Sequence, residues 1–212
     1  THPDDTTVKA GEKATFTIEA DGTEPLSYLW KRNGEPIPGA TEPAYTKNHT
    51  PGAWHEASLR CVVKNVAGTA VSNPAGLTVL PRIDSIEPAT AQADGGKWVD
   101  IHGGGFQPDA EVMFGEVKAP ETHHKSAQKL YTLTPEHTPE TVDVTVRNSP
   151  ECESSKADAF EFIEPMNFEL PDLPENGALL TGDGNLKIEG NLSGGVPPYT
   201  LEVTTHSTPS TS

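Results

Sequence analysis

Alternation of inward apolar residues with a mostly polar opposite face is what most constrains this chain. Ala14, Phe16, Ile18 and Ala20 are interleaved with Thr15, Thr17 and Glu19, and Leu59, Cys61 and Val63 with Arg60, Val62 and Lys64. Successive side chains on an extended strand point to opposite faces, so each run describes a strand with one face on a core and the other toward water. Tyr28 and Trp30 precede Asn33-Gly34, a pair that tolerates positive φ and therefore closes a tight hairpin. A turn at Gly68 and a last strand ending at Leu80 finish the unit. No apolar stripe of period 3.6 occurs anywhere, so no helix beyond single turns is expected. Gly 19 and Pro 20 among 212 residues supply turns for many short strands.

Over residues 6–80 these signals resemble a bacterial immunoglobulin-like domain. In that fold a cysteine on an early strand is bonded to one on a late strand, and the pair packs on a tryptophan. Trp30 and Cys61 match the tryptophan and the second cysteine, while Ile18 falls where the first cysteine would stand. Leu59 takes the place of the tyrosine that the fold places two residues before that second cysteine. The resemblance therefore implies a sandwich without a disulfide, held by burial, with Phe16, Ile18, Trp30 and Cys61 in its core. Cys61 reads as a small apolar residue at an inward position.

Near Pro81 the last strand, Gly76 to Leu80, runs into Arg82 with almost no linker, and so short a joint predicts units held end to end as a rod. Ile83, Ile86 and Pro88 follow, then Gly95-Gly96 with Val99 and Ile101, then Gly103 to Phe106 leading to Val112, Phe114 and Gly115. With Thr141 to Asn148, and with Phe160 and Phe162, these residues resemble the IPT/TIG family of the bacterial cell-surface type over residues 82–164. The resemblance implies a second immunoglobulin-like sandwich. Val99, Ile101 and Phe106 belong to its core, the glycines allowing a sharp turn that folds Phe106 back inward. Alternation then turns Trp98, Asp100 and His102 toward solvent or toward the first unit.

Leu186, Ile188 and Leu192, followed by Gly194 to Val203 with Tyr199, resemble the opening strands of a further surface repeat. Residues 165–212 are too short to close a sandwich, and Thr204 to Ser212 is a Thr/Ser-rich stretch that lacks the apolar content for a core. The predicted organisation is all-β: sandwiches over 1–80 and 81–164 in tandem, and a partial third β unit over 165–212. Either the chain is a piece of a longer protein, or the partial unit is completed by a neighbour through strand addition.

Composition narrows the function. Lys+Arg 15 against Asp+Glu 31 gives a net charge of -16, which makes nucleic-acid phosphate or an anionic membrane surface an unsuitable partner. No stretch reaches the roughly 18 apolar residues of a membrane span, so no membrane insertion is expected. No G-x-S-x-G elbow, P-loop, H-E-x-x-H or paired C-x-x-C is present, and no catalytic residue, cofactor site or metal site is assigned. Among eight histidines only His123-His124 are adjacent, and neighbours on a strand point apart, so they make a poor metal pair. Cys152, between Glu151 and Glu153 in a turn, is expected at the surface, where it is able to link molecules. Asn48 and Asn191 open N-x-[ST] triplets, patterns that arise often by chance.

The expected role is a non-enzymatic extracellular structural or adhesive protein, a stalk or a subunit of a surface filament. It would associate with itself or with a neighbouring surface protein, assembled in part through the C-terminal segment. The alternatives are an accessory glycan-binding or spacer module of a secreted polysaccharide-degrading enzyme, and a virion decoration protein. Candidate ligand or interface residues are Trp54, Trp98, Asp100 and Tyr199, since an exposed indole beside a carboxylate suits a sugar ring. The competing reading is that each tryptophan covers a domain joint.

Overall fold

The computed structural model describes residues 1–164 together with 167–169 and 191–193. The first unit contains β1 (Thr6–Lys9), β2 (Ala14–Thr17), β3 (Ser27–Arg32), β4 (Glu35–Pro36), β5 (Ala44–Lys47), β6 (Ala57–Asn65), β7 (Gly68–Val71) and β8 (Ala75–Leu80). One sheet runs β1-β8-β6-β3-β4, with β7 also paired to β6, and β2 and β5 form the facing pair. β1 lies parallel to β8, and the remaining pairs are antiparallel. A single 3-10 turn, Gly52–Trp54, is the one helical element among the described residues. The Asn33-Gly34 turn has φ of 49° and 89°, and the β3–β4 hairpin pairs Arg32 with Glu35 across it.

The inner faces of the two sheets enclose Ala14, Phe16, Ile18, Trp30, Leu59, Cys61, Leu77 and Val79. Trp30 and Cys61 are opposite each other on β3 and β6, and both are fully buried. The Trp30 indole N–H donates to the carbonyl of Glu42 at 2.9 Å, so the ring is buried without stranding its one polar atom. Ile18 and Leu59 fill the places that cysteine and tyrosine take in cystine-linked relatives of the fold, and Cys61 is a free thiol. Burial pushes that thiol's pKa up.

The second unit contains β9 (Arg82–Glu87), β10 (Thr90–Gln92), β11 (Trp98–Gly104), β12 (Glu111–Phe114), β13 (Val117–Lys118), β14 (Thr122–Ser126), β15 (Lys129–Leu133), β16 (Glu140–Ser149) and β17 (Cys152–Ile163). Its sheets are β10-β17-β16-β12-β13 and β14-β15-β11-β9. Again the short strand near the start lies parallel to the last one, β10 on β17. Val99, Ile101, Phe106, Val112, Phe114, Leu130, Val144, Val146, Phe160 and Phe162 form a separate core. Phe114, Phe160 and Phe162 meet edge to face at 4.9 to 5.8 Å, an arrangement favoured by ring quadrupoles.

Phe106 reaches this core by a route that depends on Gly103. The register between β11 and β9 slips at His102/Gly103, and a Cβ on Gly103 would stand 1.8 Å from the Arg82 carbonyl oxygen and 2.7 Å from the Phe106 ring. Gly105 then takes a φ of 75°. Beyond Glu164, β18 (Asn167–Glu169) pairs antiparallel with β19 (Asn191–Ser193). The other strands expected between Leu186 and Val203, and Tyr199 with them, lie outside the described residues.

Candidate functional site

A dense polar and steric constellation lies where the sandwiches meet end on. β8 passes through buried Pro81 into β9, and Arg82 turns back on the unit it has just left. Its Nη1 donates to the Ala10 carbonyl at 2.9 Å, while Nε and Nη2 grip the Asp84 carboxylate at 2.8 and 3.0 Å. The hydrogen bond to Asp84 raises the guanidinium's pKa further, so Arg82 itself stays charged. Lys156 from β17 adds a bond to the Asp84 carbonyl at 2.6 Å.

Glycine lets the backbones approach at the same place. A Cβ on Gly52 would stand 2.6 Å from the Gly105 Cα, and one on Gly105 would stand 2.8 Å from the Ala10 Cβ. Asn148 fixes this approach by donating to the Gly105 carbonyl at 2.8 Å and accepting from the Gln107 N–H at 3.1 Å.

Val79 shows how one unit completes the other. β6 pairs with β8 only through Ala57–Leu59, so farther along β8 the Val79 peptide groups need other partners. The Val79 N–H donates to Nδ1 of His55 at 3.1 Å, and the Val79 carbonyl accepts from the Cys152 thiol, across the joint, at 3.3 Å. Cys152 is 1% exposed, which corrects the surface position expected from its acidic turn. Glu151 and Glu153 point to water, but the thiol between them is covered by the neighbouring sandwich, and burial raises its pKa. A cavity of about 420 Å³ beside this contact is lined by His55, Glu56, Gly105, Phe106 and His124. His124 is held by its Nε2, 3.2 Å from the Phe106 carbonyl oxygen.

The candidate tryptophans sit elsewhere. Trp54 packs on its own sandwich, its indole stacked on Tyr45 at 6.5 Å with the Arg32 guanidinium 4.4 Å and the Lys47 ammonium 5.2 Å from the ring centre. Phe16, Trp30, Tyr45 and Trp54 thus form a ladder of rings from the core to the surface, ending in two cations. Such cation contacts occupy the π-face that a sugar would need.

Trp98 is half-buried at the end of β11 away from Gly104, so it does not cover the joint as one reading expected. It lies against Tyr131 at 4.5 Å and 11° and against His123 at 5.3 Å and 26°, on the outer face of its sheet. Asp100 on the same face is paired with Lys129 at 2.9 Å. The structure brings Trp98 and Asp100 onto one face and leaves Trp54 on the other unit. Sequence reasoning passed over Arg82, His55, Gly52 and Asn148; the signal available for Arg82 was its position directly after the linker proline.

Two immunoglobulin-like sandwiches in tandem, with a thiol and a guanidinium buried or clasped at the joint, define the class of protein. Residues 81–162 match the IPT/TIG domain family. Among curated proteins the chain is similar to fibrocystin of Mus musculus, 27% identical over 135 residues, which is 62% of this chain and 3% of that one. The chain therefore spans a small fraction of that relative's length. Among solved structures, Sidekick-1 immunoglobulin domains 1-4 share 16% identity, covering 92% of this chain and 56% of that one, with a TM-score of 0.38. A titin fragment, I67-I69, shares 22% identity and covers 78% of this chain and 65% of that one, with a TM-score of 0.34.

Proposed function

We propose that this chain is a non-enzymatic structural element of an extracellular, cell-surface assembly, a stalk segment that holds its neighbours at a fixed distance and orientation. The observation that carries the reading is the joint. A linker reduced to Pro81, a guanidinium bonded back to Ala10, and a thiol of one sandwich bonded to the Val79 carbonyl of the other leave little freedom between the units. A free hinge would show the opposite composition, a polar or glycine-rich connector with solvated ends. The net charge of -16 supports an exposed, soluble surface that resists non-specific pairing of strand edges. The bacterial origin and the filament setting belong to the same proposal, on the resemblance of both units to bacterial surface modules.

Single-molecule pulling on the full chain tests the reading. A load-bearing segment extends only when a sandwich unfolds, whereas extension at low force before any unfolding event would remove the stalk role.

A second reading, a glycan-binding accessory module, is favoured only by the half-exposed Trp98 beside Tyr131, His123 and Asp100. Its mark is quenching or enhancement of tryptophan fluorescence on titration with polysaccharides, lost in Trp98→Ala and retained in Trp54→Ala.

A further inference from the structure

One side chain under the joint has its protonation state fixed by the bond it makes. A backbone N–H only donates, so Nδ1 of His55, 3.1 Å from the Val79 nitrogen, holds a lone pair and the ring carries its proton on Nε2. That Nε2 lies 3.9 Å from the Glu56 carboxylate; the His55 ring is 14% exposed, whereas the Glu56 side chain is 86% exposed. The Cys152 sulfur of the second sandwich stands 4.0 Å from the same Nδ1. The backbone presents the ring under strain. Glu56, the next residue, takes a φ of 60°, a left-handed conformation that few residues with a Cβ adopt and that persists only where the surroundings impose it. Here its N–H is tied to the Leu77 carbonyl at 2.9 Å.

A proton added to this ring goes to Nδ1, since Nε2 already carries one. Nδ1 then faces the Val79 N–H as donor against donor, and that buried amide loses its acceptor. The new charge also stands against a sulfur whose own proton is directed at the Val79 carbonyl, 3.3 Å away. Cys152 stays a neutral thiol there, burial having raised its pKa. The way out for the ring is the cavity of about 420 Å³ that His55 and Glu56 both line, where the Glu56 carboxylate supplies the counter-charge. His124, from β14, lines the same cavity, but its Nε2 donates to the Phe106 carbonyl, and that bond survives protonation of its other nitrogen. Among the described residues, Glu56, Cys152 and His124 are the titratable groups around the His55 ring.

We propose that His55 is a proton-sensitive latch on the joint. The neutral ring holds the Val79 peptide in place for Cys152; the protonated ring abandons Val79, swings into the cavity toward Glu56 and removes the support beneath the contact between sandwiches. The joint is therefore closed toward pH 8 and opens as pH falls through the range in which histidine gains its charge, about pH 8 to 5. The inference rests on the fixed joint of the reading above and names the condition under which that joint lets go.

Two NMR readouts on the full chain, taken at pH 8 and at pH 5, test this. Exchange of the Val79 amide, divided by the rate of a free amide at the same pH, should rise about tenfold on acidification, as expected for the loss of one buried hydrogen bond. Residual dipolar couplings that fit one alignment tensor at pH 8 should need two at pH 5. His55→Gln keeps an acceptor oxygen and cannot take the proton, so neither readout should respond to pH. His55→Ala, with no acceptor, should need two tensors at both pH values, and His124→Gln should respond as the wild type does. Equal Val79 protection at both pH values, a single tensor at pH 5, or an undiminished response in His55→Gln overturns the latch and leaves the stalk reading standing. Loss of protection at the Trp30 and Cys61 amides in step with Val79 also overturns it, since the sandwich is then unfolding rather than the joint opening. Two tensors already at pH 8 in the wild type remove the stalk reading and the latch together.

Discussion

At the scale of single residues, the two cysteines and Trp30 carry most of the consequence. Trp30 is fully exhausted as a surface residue, its ring buried between sheets and its N–H bonded to Glu42. Trp30→Ala removes that volume without a replacement and costs about 3–5 kcal/mol, read as a lower midpoint in urea for the first unfolding step. Both thiols have pKa values pushed up by burial. A group whose folded pKa lies above its unfolded one stabilises the fold below the unfolded value and loses that contribution as pH climbs through the folded one. The thiols' contribution should therefore be fully present toward neutrality and be lost as pH rises above about 9, and replacing both cysteines by alanine should remove that part of the alkaline fall and leave the part due to half-buried Tyr45. Cys152 should react with a thiol reagent only as fast as the joint opens, and a rate equal to that of an unfolded thiol would contradict its placement against Val79. Much of the core was legible at this scale: the alternation about Phe16, Ile18, Trp30, Cys61, Val99 and Ile101 coincides with buried positions in the structure. Cys152 was not, because its cover comes from a strand far away in sequence, and local pattern reports only local faces.

Among elements, the joint-facing end of β11 and the turn after it matter most. Gly103 makes room for the Arg82 carbonyl and the Phe106 ring, and Gly105 makes room for Ala10. Gly103→Ala forces β9 off β11 or Phe106 out of the core, so the second sandwich should lose several kcal/mol by the measure of over-packing, about 1–3 or more. Gly105→Ala, with its φ of 75° and a clash on Ala10, should loosen the joint as well as strain the turn. Its signature is faster labelling of Cys152 with little change in the urea midpoint of the first sandwich. His55→Ala strands the Val79 N–H and should cost about 1–3 kcal/mol in the same unit. The glycine run was visible in sequence as the carrier of a turn. Its second duty, letting two sandwiches touch backbone to backbone, was invisible there, because Gly52 and Gly105 are brought together only by the fold.

Over the whole molecule, the account reduces to two disulfide-free sandwiches fixed end on by Pro81, Arg82, Gly105 and Cys152. The tandem arrangement could be read from the strand that runs into Arg82 without a linker, and Trp98 could be read as facing away from its core. What the tryptophans do could not, since it depends on which partners close over each ring: Tyr45 and Arg32 over Trp54, Tyr131 and His123 against Trp98. Residual dipolar couplings measured on the full chain in weak alignment test the central claim most directly. A single alignment tensor should describe the amides of residues 6–80 and 82–163 together, with the orientation seen here. Separate tensors of different magnitude for the two sandwiches would contradict the fixed joint, and the stalk with it.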